Sequence, residues 1–172
     1  MIFGMTILTF VHVLLSLVGI LAGFVVMSGF LAAKQIHGWT TVFIWTTVAT
    51  SVTGFLFPFH KLLPSHVLGI LSLVALAVAI VARYARQMAG TWRSIYVVSA
   101  VLALYFNVFV LVAQTFLKVP AAHALAPTGK EPPFLVVQLI VMAIFIVLGI
   151  LAVKRFRIDA TTAPAWKNSR AS

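Results

Sequence analysis

Six side chains could do chemistry within an otherwise apolar chain: His12, His60, His66, Asn107, Gln114 and Gln138. Imidazole suits zinc, copper or haem iron, and a side-chain amide orients a ligand through adjacent donors and an acceptor. His60 and His66 flank Pro64, while His12 belongs to another segment, so the three form no tight metal motif and no metal site is assigned. A membrane haem b takes two imidazoles from different helices on opposite faces of its macrocycle. His12 with His66 would supply one such pair. A two-haem electron wire would need a partner for His37, which is absent.

The acids exclude more than the bases suggest. Glu131 and Asp159 are the two carboxylates of the chain, and neither lies inside an apolar run. A carboxylate relay for protons or sodium is therefore excluded, and so is a serine triad, which needs a buried acid to orient its base. No glycine-rich phosphate loop occurs. Zero cysteines remove disulfides and thiolate chemistry. No catalytic residue is assigned.

These groups must be positioned by helices in lipid. Of 172 residues, 63% are hydrophobic and 8% charged, whereas soluble domains carry about 25% charged residues. The net charge of +10 would suit nucleic acid only on a soluble basic face. Here the bases lie between long apolar runs, so no nucleic-acid partner is expected and the bilayer is. A bilayer core takes about 20 apolar residues as helix. Five segments qualify, near 5–33, 40–58, 66–86, 94–117 and 134–153, within a single all-α transmembrane domain over 1–172. Lys34 to Gly38 end the first segment, and Pro58 and Pro64 bracket the second turn, with Ser65 as a candidate N-cap. Four prolines within 118–133 make that stretch an outer loop. Residues 154–172 form a polar tail. The opening "MIFGM" has no basic n-region, so the first apolar run is expected to stay as a helix rather than be cleaved.

Charge sets the orientation. With the N-terminus outside, the inner side holds Lys34, Arg83, Arg86, Arg93, Lys154, Arg155, Arg157, Lys167 and Arg170, against Lys61, Lys118 and Lys130 outside. The expectation is N-out and C-in, with Trp39, Tyr84, Trp92 and Tyr96 as an inner aromatic belt. His12, Gln114 and Gln138 then fall in the outer half, and His60, His66 and His123 at the outer surface.

Helical spacing groups them further. His12, Ser16, Gly19 and Gly23 share one face, and the Gly19/Gly23 pair permits close approach of another helix, in this chain or in a second copy. Tyr96, Ala100, Ala103, Asn107, Gln114 and Lys118 share a stripe of the fourth segment. The hydroxyls of the second, Thr46, Thr47, Thr50, Ser51 and Thr53, are read as packing groups that bond their own backbone.

Over "GILAGFVVMSGFLAAKQIHGWTTVFIWTTVATSVTGFLFPF", residues 19–59, the chain resembles a family of bacterial inner-membrane proteins of unknown function. Gly19, Gly23, Gly29, Lys34, His37, Gly38, Ser51 and Gly54 match it in kind, and the likeness extends to about residue 115. Relatives often carry His-Arg ahead of the fourth helix, where this chain has Trp92-Arg93. The resemblance implies a multi-pass protein of the bacterial inner membrane and supplies no activity.

Two functional readings stay open. One is a structural or accessory membrane component that packs against other subunits. The other is a module holding haem b or a quinone in the outer leaflet, through His12, His66, His60, Asn107, Gln114 and Gln138.

Overall fold

A computed structural model describes residues 6–56 and 64–157. Among them every regular element is helical: α1 (Ile7–Leu31), α2 (His37–Gly54), α3 (Pro64–Ile80), α4 (Thr91–Lys118), α5 (Pro120–Leu125) and α6 (Pro132–Arg155). The Thr6 hydroxyl caps α1 by accepting the Thr9 amide at 3.2 Å. Helix α1 runs unbroken through Gly19 and Gly23. His60, Pro58, Lys61 and the tail beyond Arg157 lie outside the described residues.

Among the described residues four helices are long and apolar enough to cross a membrane: Ile7–Leu31, His66–Ala85, Thr91–Lys118 and Pro132–Arg155. Helix α2 is not among them, because His37 and its many hydroxyls dilute its apolar residues. Its 18 residues nevertheless reach about 27 Å, close to the thickness of a bilayer core.

The bundle is a ring. Helix α1 packs on α2 and α4, α2 on α3, and α3 on α4, while α6 lies outside against α4 and α1. One end of the ring gathers the start of α1, the end of α2, the start of α3 and the end of α4 around a single cavity. Successive helices therefore run in opposite directions. Large apolar side chains such as Leu14, Leu21, Ile70, Val74, Leu139 and Ile144 are exposed on the outside. In water such a surface would aggregate, whereas in lipid it is solvated.

Gly19 and Gly23 make the close approach inside the chain. A Cβ on Gly19 would sit 3.1 Å from the Thr46 hydroxyl, and one on Gly23 would meet Leu104 Cδ1 at 2.5 Å and the Phe43 ring at 3.0 Å. Helices α2 and α4 thus cover the glycine stripe. Helix α6 is tied on more lightly, through Phe145 against Phe24 and Tyr105 and through Gln138.

Three expectations are corrected. Ser65 lies inside α3, which begins at Pro64, since a proline at the first helical position needs no donor. The proline-rich stretch is not wholly loop, because Pro120 opens the short helix α5. Tyr96 is no belt residue: it is 1% exposed and accepts a hydrogen bond from Arg83 Nη1 at 3.1 Å.

That last contact depends on the end of α3. Residues Val81–Ala85 form one π-helical turn, wider than an α-turn, and Arg83 within it is buried between the rings of Tyr84 and Tyr96. Phe30 meets Tyr96 edge-on at 5.5 Å, and Phe156 packs on both. The closed end of the bundle is therefore aromatic and cationic.

In the connection before α6, Glu131 binds the Thr128 hydroxyl at 2.8 Å and the Thr128 and Lys130 amides at 3.0 Å. Desolvation opposes the carboxylate, but these donors outweigh it and hold Glu131 down to about 2. The folded value lies below the ordinary 4.5, so this clamp contributes fully above that pH. Its contribution is lost as pH falls toward about 2. Amide exchange at Thr128 and Lys130 should accelerate across that window. Exchange unchanged from pH 5 to 2, after correction for intrinsic rates, would show that the clamp does not form.

Candidate functional site

The cavity at the open end of the ring has a volume of about 610 Å³, within the usual range of about 300–1,000 Å³ for small-molecule sites. Each helix of the ring contributes polar groups to a largely apolar wall. His12 and Ser16 come from α1, Thr50 and Ser51 from α2, His66 and Ser72 from α3, and Asn107, Gln114 and Lys118 from α4. Val13, Leu17, Phe106, Val110 and Leu111 supply apolar surface.

The α1 stripe brings His12 here because Gly19 and Gly23 hold the same face against α2. His12 Nδ1 lies 2.9 Å from Thr53 Oγ1. The Thr53 hydroxyl donates to the Ala49 carbonyl at 2.8 Å, so its oxygen accepts from the Nδ1–H of His12. That fixes the tautomer and leaves the lone pair on Nε2. Replacing His12 with Gln should cost about 1 kcal/mol, the scale of interhelical hydrogen bonds in lipid. Denaturation in mild detergent would measure it. A loss above about 3 kcal/mol would mean that His12 holds the bundle together far beyond one such bond.

His66 is buried and stacks on Phe55 at 5.8 Å. The Asn107 amide donates to Thr47 Oγ1 at 3.2 Å, linking α4 to α2 across the ring just below the cavity. Gln114 and Lys118 lie about two and three turns nearer the end of α4, at the exposed mouth. Of the proline-rich stretch, the wall uses Lys118 and Val119.

Two of the remaining sequence candidates are not in the wall. Gln138 donates through Nε2 to the Phe109 carbonyl at 3.1 Å and joins α6 to α4. His123 sits on α5, with Nδ1 donating to the Phe116 carbonyl at 3.3 Å. His60 lies outside the described residues. Among the described residues no three of His, Asp and Glu come together as a metal-binding group.

The structure adds residues that the sequence did not single out for a site. Of the α2 hydroxyls read from the sequence as bonding their own backbone, Thr46 and Thr53 bond the carbonyl four residues back, and Thr40 and Thr41 do so as well. Thr50 does not. Its hydroxyl, and that of Ser72 across the cavity, is buried without a partner among the described residues. A buried hydroxyl in that state costs on the order of 1–3 kcal/mol and calls for a water or a guest. The signal in sequence would have been a hydroxyl on the face that α2 and α3 turn toward His12. Helical spacing within one segment does not reveal that face.

Comparison with protein-family models, with curated proteins and with solved structures returned no match. The chain is a multi-pass helical membrane protein by the length and apolarity of its helices. What it binds has to be argued from the cavity.

Proposed function

We propose that the protein is a ligand-binding module of the bacterial inner membrane, holding one small amphipathic molecule in the cavity between α1, α2, α3 and α4. One observation carries this reading. Polar side chains from four helices converge on an apolar space of about 610 Å³, and two hydroxyls of its wall lack a described partner. A component that only packed would close that space, because a void lined with unpaired polar groups destabilises a bundle. Membership of the inner-membrane family, five spans with α2 as the second, and an N-out, C-in orientation complete the proposal. The charge bias supports the orientation, in which the cavity mouth faces the outer side.

Purification in mild detergent tests it, by absorption spectroscopy and mass spectrometry of an organic extract. The wild type should carry a bound amphiphile that Gln114→Trp, with its mouth plugged, does not. A Soret band would identify haem b, and a redox-active extract a quinone. An empty wild type, with no displaceable hydrophobic probe, would overturn the reading in favour of a packing component. A reporter in residues 126–131 that reads cytoplasmic would overturn the orientation alone.

A further inference from the structure

The charges around the cavity are all of one kind. Lys118 lines its mouth with Gln114; His12, His66 and Asn107 belong to the wall, and no acidic residue among the described residues lines it. The sequence holds only two acids. Glu131 is committed within its own turn to Thr128 and Lys130, and Asp159 lies beyond the described residues. So the polar end of the space offers a fixed cation and neutral donors, with no carboxylate of the wall to balance them.

We propose that the molecule held here is a monoanionic amphiphile, a carboxylate on an apolar body, with its head at Lys118 and its body among Leu17, Phe106, Val110 and Leu111. This rests on the ligand-binding reading and names the head group. The donor set favours a single negative charge. A phosphate dianion is usually met by guanidinium forks or several cations, and among the described residues the wall holds one lysine and no arginine. A carboxylate needs one cation and a few hydrogen-bond donors. Gln114, one turn below Lys118, supplies an amide close to the ammonium. The lysine gains as well. Close to the hydrocarbon boundary, an ammonium pairs more strongly with an anion than it would in bulk water.

Binding of cis-parinaric acid, a fluorescent carboxylate, and of its neutral methyl ester to the purified full chain separates the outcomes, with Gln114→Trp as the background. Wild type should bind the acid about tenfold more tightly than the ester, the scale of one charge-assisted hydrogen bond. Lys118→Met should bring the two to parity by weakening acid binding about tenfold, while Lys118→Arg keeps the preference. Equal binding of acid and ester by wild type, or a preference that survives in Lys118→Met, would overturn the anionic head and leave the cavity reading intact. If neither probe binds above the plugged background, both fall. Circular dichroism melts confirm that each variant is folded. Leu111→Trp serves as a second plug should Gln114→Trp melt early.

Discussion

Gly23→Leu should unfold the bundle or leave it melting far below the wild type in detergent. The reason is local. A single Cβ at position 23 would already stand 2.5 Å from Leu104 Cδ1 and 3.0 Å from the Phe43 ring. Both neighbours are within 2% of full burial, so neither side chain has open space to retreat into. Overpacking of this kind costs about 1–3 kcal/mol for a modest intrusion and more for a large one. Gly23→Ala should fall in that range, and leucine should exceed it. Pairing Gly23→Ala with Leu104→Ala should recover much of the loss, because the second change removes the atom in the way. Gly19→Ala should be milder, since its nearest neighbour is a threonine hydroxyl at 3.1 Å. A Gly23→Leu protein that melts like the wild type would mean that α1, α2 and α4 do not meet here.

Tyr96→Ala should be the second most damaging change, at about 3–5 kcal/mol, the range for removing a buried aromatic ring. Tyr96 accepts from Arg83 and packs edge-on with Phe30, while Phe156 closes over both. Truncation removes the ring that screens the guanidinium from its apolar surroundings and strips the hydrogen bond as well. Tyr96→Phe keeps the ring and the cation–π contact and deletes only the acceptor. It should cost about 1.5–3 kcal/mol, the usual worth of a hydrogen bond to a charged group. Chemical denaturation of the two variants side by side tests the order. Equal losses would assign the whole effect to the hydroxyl, and a neutral Tyr96→Ala would show that Arg83 draws nothing from this ring.

Helix existence was legible because lipid leaves the backbone little choice. An apolar run must satisfy its own amides and carbonyls, and a helix does so within one segment. Spacing along a single helix was enough to put His12 with Gly19 and Gly23, and Asn107 with Tyr96 and Ala103, on faces turned toward other protein. Boundaries were less secure. Pro64 opens α3 and Pro120 opens α5, because a proline that stops one helix is equally able to start the next.

What the sequence by itself determined, then, was the class of protein, its long helices and the inward faces of α1 and α4, since these follow from periodicity and from the absence of acids within the apolar runs. Tertiary structure alone decided which faces meet. It set the widened turn that buries Arg83 against Tyr96, and it sent Gln138 to the Phe109 carbonyl rather than to the cavity. It also separated Thr50, without a partner among the described residues in the cavity wall, from Thr53, which is bonded to its own backbone. Two threonines on one helix have the same intrinsic preference for the carbonyl behind them. Only the neighbour across the bundle decides which of them keeps that bond and which is left facing a space that another molecule can fill.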